Sequence, residues 1–285
     1  MTATERALPA GLRARVLDAS RQARAAGRVV PEIPQITALD AFGRAAEALY
    51  QTLGALADDD WRRPALRDLD VQGLVGHLTG VESDLQRAMS GDPEVGAAEH
   101  VQSTQAAADR QAGRLPAQTL SEWHEAVRRT LTLVATVGLQ DVIVLHGVPL
   151  PLHAWLVARA FELWTHENDI RRACGLGASV PDAPTLAQMT QLAASLLPVV
   201  LSQAAPGQRT SLHLVLTGTG GGTWDIEAGD TGLPGQGQVS IVTDTVGFCR
   251  LVANRARAAD LDLYVTGDQS TAYGILAAAA ALALD

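Results

Sequence analysis

The sequence predicts a chain in two main parts, a four-helix bundle carrying an extra helix and then a small α+β domain. Three observations predict it. From Thr37 to about Ala205, apolar residues recur at three- and four-residue steps, the period of helices with one buried face. After "APGQ" (205–208) the period changes to alternation, as in half-buried strands. Beyond that point two helical patterns interrupt the strands, which marks an α+β unit rather than an all-β one. The boundaries fall at 1–36 for an N-terminal extension, 37–205 for the bundle and 206–285 for the α+β domain.

The extension holds an Arg-bearing amphipathic segment, Leu12 to Ala25, and then "VVPEIPQI", whose prolines mark an extended connector. The first helix is "TALDAFGRAAEALYQTLGALADDDW" (37–61), with Thr37 able to cap it. The second is "DLDVQGLVGHLTGVESDLQRAMSG" (68–91), with Asp70 as N-cap and Gly91 as stop. The third, "TLSEWHEAVRRTLTLVATVG" (119–138), begins at Thr119 or Ser121. The fourth, "LPLHAWLVARAFELWTHENDIRRACG" (150–175), has Pro151 in its first turn and Gly175 at its end. A fifth runs through "APTLAQMTQLAASLLPVVLSQAAPG" (183–207) and is bent or broken near Pro198. The strands follow as "RTSLHLVLTG", "TGGGTWDIEAG", "GQVSIVTD" and "DLDLYVTG"; "TVGFCRLVANRARA" and "QSTAYGILAAAAALA" are the helices between and after them. The glycine run joins two strands and has no following helix or Lys, so it is a hairpin turn and not a phosphate loop.

Composition excludes several classes. Of the 285 residues 47% are apolar, enough for a core, and the net charge of −9 argues against a nucleic-acid partner. All 22 basic residues are Arg, which removes Schiff-base chemistry and any phosphate loop built on Lys. Two cysteines, Cys174 and Cys249, make neither a disulfide framework nor a Cys-rich zinc site. No signal peptide, membrane span or membrane partner is expected, and the location expected is cytoplasmic.

The fourth helix poses a problem. Its segment "FELWTHENDI" (161–170) carries Glu162, His166 and Asp169 at steps of four and three within an apolar run. Residues four apart on a helix point the same way, so Glu162 and His166 project together with Arg159 and Asp169 nearby. Three readings stay open: a Glu–His bond on a solvent-facing stripe, an Arg159–Glu162 ion pair, or metal binding. The last needs a third ligand. His77, in "LVGHLTG" between Gly76 and Gly80, is the best candidate, although a lone His on an apolar helix is more often a core residue. Two His and one Glu with a fourth position open would follow the pattern of catalytic zinc sites. His146 and His153 flank the loop "HGVPLPLH", His100 and His124 read as solvent-facing, and His213 lies in a strand.

Two motifs then carry a resemblance. "DWRRPALRDLDVQGLVGHLTGVE" followed by "RAFELWTHENDIRRACG" resembles the mycothiol-dependent maleylpyruvate isomerase family, among the DinB-like metal-binding bundles, over roughly Thr37 to Gly175. "LVLTGTGGGTWDI", "DTVGFCRLVANR" and "VTGDQSTAYGILAAAAALA" resemble the sterol-carrier-like domain that often follows such a bundle. The resemblance implies a divalent metal, usually zinc, held by His77, Glu162 and His166, with mycothiol as co-substrate and an actinobacterial origin. It implies an isomerase or thiol transferase acting on a small electrophilic substrate. Asp169, one turn beyond His166, is expected to support a ligand imidazole or meet an arginine, and Arg110, Arg114 and Arg159 are candidates to bind the thiol or substrate. Phe161 stands where relatives often carry a basic residue. The rivals are a metal-dependent hydrolase with the same ligands, a non-enzymatic small-molecule or lipid-binding protein, and a redox sensor built on Cys174 or Cys249.

Overall fold

In the computed structural model of the chain, the residues described are 33–91, 97–229 and 238–283. The amphipathic segment expected over Leu12–Ala25 lies outside them. Among these residues are eight α-helices, two short hairpins and one four-stranded sheet, the helical part first and the sheet after it.

Helix α1 (Ala38–Gly54) starts where expected. The Thr37 side chain accepts from Asp40 N–H, and the Asp40 carboxylate accepts from Thr37 N–H in return. It stops seven residues before the sequence expectation, which ran to Trp61. Three successive aspartates open a 3-10 turn, Asp58–Arg62, that folds Trp61 back into the core. A hairpin of β1 (Pro64–Leu66) and β2 (Leu69–Asp70) follows. Asp70 then caps α2 (Val71–Met89) by accepting from Gly73 N–H, and Gly91 at φ 80° ends it.

Helix α3 (Ala97–Asp109) was not anticipated. Its Ala-rich, polar composition carries no strong apolar stripe, and it is held by close approach to α2. Helix α4 (Pro116–Val134) begins before the expected Thr119 or Ser121. Pro116 sets the first turn, and the Gln118 side chain accepts from Leu115 N–H to cap it. The stretch expected as a loop, 146–153, is mostly the second half of a hairpin. Its strands, β3 (Val142–Leu145) and β4 (Val148–Pro151), turn through His146 and Gly147, both at positive φ as a two-residue hairpin turn requires. Helix α5 (Leu152–Ala173) then crosses the core against α1.

Helix α6 (Ala183–Ala204), capped by Asp182 on Thr185 N–H, continues as one helix through Pro198. It is uncharged, and by length and composition alone it is apolar enough to cross a membrane, which corrects the expectation that no segment was. Here it packs against β6 (Gly222–Ala228) and α8 (Gln269–Ala280). The sheet has the order β6-β5-β7-β8, with β5 (Thr210–Thr217) antiparallel to β6 and parallel to β7 (Val239–Asp244), and β8 (Tyr264–Thr266) antiparallel to β7. The crossover from β7 to β8 carries α7 (Thr245–Val252). The buried positions of β5, Leu212, Leu214 and Leu216, alternate as the sequence pattern required. One apolar core runs from α1, α2 and α5 through α6 to the inner face of the sheet, and the described residues from Gln35 onward pack as one compact unit.

Candidate metal centre

The site begins with α5, which is buried on nearly every side. A helix in that position must compensate each polar group it carries, because an unpaired buried charge is strongly destabilising. Its polar stripe is answered by α2. His77 on α2 brings Nε2 to 3.7 Å from Glu162 Oε1, and His166 Nε2 lies 3.9 Å from the same oxygen. The His77 and His166 rings meet edge to face, centroids 5.7 Å apart. One donor atom from each of the three residues lies within 4.8 Å of the other two. Atoms that share one zinc ion through bonds of about 2.0–2.2 Å stand only slightly closer together.

Two further observations bear on whether these side chains fit a cation. His166 is 1% exposed, and its Nε2 is buried without a hydrogen-bond partner among the described residues. Leaving such an atom unpaired costs about 1–3 kcal/mol. Its other nitrogen, Nδ1, is 3.2 Å from Asp169 Oδ2, which accepts its proton and leaves the Nε2 lone pair directed at Glu162. Two imidazole nitrogens and one carboxylate oxygen are a suitable donor set for a divalent metal.

Glu162 divides its oxygens. Oε2 accepts from Arg159, and Oε1 faces the two imidazoles. Burial alone would raise its pKa, but Arg159, and then His77 and His166, hold it well below the usual carboxylate range. Arg159 is 2% exposed and is gripped on its other side by Glu82, with Nε at 3.2 Å and Nη2 at 2.8 Å from Oε1. Burial would lower the Arg159 pKa, but Glu162 and Glu82 outweigh it and raise it. Thr130 donates to the other Glu82 oxygen at 2.7 Å. Asp169, 1% exposed, also accepts from Arg172 at 3.0 Å and from Arg255 at 2.9 Å. Burial pushes its pKa up, and the bonds from His166 and Arg255 more than reverse that.

The remaining candidates are spread out. Arg114 pairs with Glu122, Arg110 is exposed, and Arg159 is committed to its two carboxylates. His100 is not solvent-facing as expected. It is 9% exposed, its Nδ1 is 2.8 Å from Asp84, and its ring meets His77 edge-on and lies over His146. His124 is also not free in solvent, since it stacks on Tyr50 at 4.3 Å. His153 Nδ1 is 3.1 Å from Leu139 O, and His213 pairs with Asp225. The sequence reading missed Glu82, Asp84 and His100. The usable signal was the step of seven from His77 to Asp84 on α2; the step of five to Glu82 does not share that face.

Residues 42–171, a span that includes His77, Glu162 and His166, match the family model of the mycothiol maleylpyruvate isomerase N-terminal domain. Two solved structures share the fold over 81% of this chain and 92% of theirs. One is the crystal structure of the mycothiol-dependent maleylpyruvate isomerase, with a TM-score of 0.56 and 16% identity. The other, with a TM-score of 0.54 and 16% identity, is a histidine-to-alanine variant of that enzyme. No curated protein matches the sequence.

Proposed function

We propose, from the match of residues 42–171 to the mycothiol maleylpyruvate isomerase N-terminal domain, that the chain is a metal-dependent enzyme that uses mycothiol to isomerise a small conjugated acid of the maleylpyruvate class. The observation that carries the reading is the buried Nε2 of His166, without a hydrogen-bond partner among the described residues, converging with His77 and an ionised Glu162. His77, Glu162 and His166 would hold the cation. Bound there, a divalent metal such as zinc would lower the proton affinity of a thiol, supplying a sulfur nucleophile that adds to a conjugated double bond and leaves again once the bond has rotated.

The chain's own residues prepare that chemistry. Asp169 holds the Nδ1 proton of His166, so the ring presents Nε2 inward. Arg159 keeps Glu162 ionised and turns one carboxylate oxygen away, leaving the other for the site. Glu82 and Thr130 fix Arg159 in turn. Trp155, 2% exposed, donates to Ile143 O and ties α5 to the β3–β4 hairpin beside the site.

The test begins with metal analysis of the purified protein. About one zinc per chain is expected, with uptake lost in His166→Ala and in His77→Ala. The zinc-loaded protein should then turn over maleylpyruvate with mycothiol present and not without it. Equal rates with and without thiol would transfer the site to a hydrolase; no metal uptake would leave a binding protein.

A further inference from the structure

A second face of α5 borders a cavity that the function above does not use. Glu162 and His166 share one stripe of the helix, while Trp164 and Glu167 fall on another. The cavity measures about 180 Å³. Ala45 and Ala48 of α1, Trp164 of α5, and Val180 and Pro181 of the segment between α5 and α6 supply its apolar wall. A hole of roughly 150 Å³ in an apolar core is enough to bind benzene, so a single ring fits here. The wall is also held in place without a ligand. Trp164 Nε1 donates to Ser179 O at 3.1 Å, Asn168 Nδ2 donates to Ser179 Oγ at 3.1 Å, and Ser179 N–H donates to Asn168 Oδ1 at 2.9 Å. Those three bonds pin the connecting segment to α5, so little ordering is left for binding to impose.

One polar group in the wall is only partly answered. Glu167 is 4% exposed, and its Oε1 accepts from Thr52 Oγ1 at 3.0 Å and from Arg171 Nη1 at 3.4 Å. Its Oε2 accepts from no group among the described residues and is not one of the fully enclosed polar atoms, so open space reaches it. The cavity is the open space that Glu167 lines. A nearly buried carboxylate oxygen without a donor is costly, and a donor placed in the cavity would relieve it. The surrounding charges decide which kind of donor. Arg171 answers Glu167, and at the rim Arg44 answers Asp182 at 2.6 Å, so two cations meet two carboxylates. An anionic ligand would face Glu167 Oε2, and a cationic one would crowd a carboxylate that Arg171 already pairs. A neutral O–H or N–H completes Oε2 without adding charge.

We propose that this cavity is a second binding site, for a small neutral single-ring molecule that carries one hydrogen-bond donor, as phenol does, with the donor on Glu167 Oε2. The site stands apart from the metal centre and does not rest on the function proposed above. Its test is an NMR titration of the nitrogen-labelled full chain with phenol and with benzene. The reporter is the indole N–H of Trp164, assigned by its loss in Trp164→Phe. Phenol should shift that resonance saturably and bind about tenfold more tightly than benzene, the effect of one good hydrogen bond. Ala48→Leu, at an exposed position of the wall, should narrow the cavity and abolish the shift. In Glu167→Gln the amide oxygen takes the bonds from Thr52 and Arg171 and its NH2 turns to the cavity, so the advantage of phenol over benzene should fall to about twofold or less. Equal binding of phenol and benzene, binding of neither, or a shift that survives Ala48→Leu overturns the proposal. Where Glu167→Gln does not fold, the comparison of the two probes and the Ala48→Leu variant decide it.

Discussion

Arg159 shows how one residue can serve two ends. Its guanidinium spans Glu82, wholly buried, and Glu162, which faces the site. A buried ion pair contributes little net stability, yet removing one partner leaves an uncompensated charge. The arrangement therefore fixes the ionisation and direction of Glu162 rather than adding to stability. His146 is the other residue whose environment decides its state. Burial, and then the His100 ring beside it, pull its pKa from 6.5 down to about 4. Above pH 6.5 the imidazole is neutral whether the chain is folded or not, and it contributes no pH dependence. Between 6.5 and about 4 the unfolded chain takes up a proton that the folded chain refuses, so stability falls as the pH falls. His146→Asn keeps a side chain tolerant of the left-handed turn and removes that titration. In urea unfolding at pH 7.5 and pH 5, the variant should lose less stability between the two than the parent; an equal loss would show that His146 does not titrate in this way.

Among the elements, the α2–α3 contact is the one most sensitive to a single methyl group. A Cβ on Gly76 would meet Gln111 Cγ at 2.6 Å and Ala107 O at 2.9 Å, and the second of these is backbone that cannot move aside. Gly76→Ala should therefore destabilise by about 1–3 kcal/mol, as overpacking does. Gly43, in the middle of α1, has nothing within 4 Å of its would-be Cβ. Gly43→Ala should stabilise by about 0.5–1 kcal/mol, because alanine is the better helix former. Chemical denaturation of the pair checks both signs at once; a neutral Gly76→Ala would mean that α3 is free to shift. Because α3 carries His100, the same substitution also tests how rigidly that ring is held.

Taken whole, the molecule joins its helical and sheet parts at the candidate site. Arg255, which follows α7, donates to Asp169 on α5, and Asp169 holds His166 Nδ1. A residue 86 positions further along the chain thus supports a proposed ligand from behind. Arg255→Gln should leave the fold intact and weaken zinc binding, by less than the about 10–100-fold expected for removing Asp169, the partner of the His166 imidazole itself. Competition against a chromogenic chelator measures it, and unchanged affinity would show that Arg172 alone holds Asp169 in place.

How much of this was legible follows from range. The change of period at 205–208, the caps Thr37 and Asp70 and the shared face of Glu162 and His166 could be read directly, because helix phase and capping are local and the spacing of four on α5 fixes a shared face, whereas His77, on another helix, could be named only as a candidate. Nothing in the apolar pattern signalled α3, which is held where Gly76 and Gly80 of α2 admit its close approach. What the sequence by itself determined was therefore the order of elements and the residues that could share a stripe. Only the tertiary structure decided that Arg159 locks between Glu82 and Glu162, that Arg255 stands behind Asp169, and that the His100 ring contacts both His77 and His146. Those pairings join positions far apart in the chain, and they are selected by the need to neutralise buried charge once packing has brought the groups together.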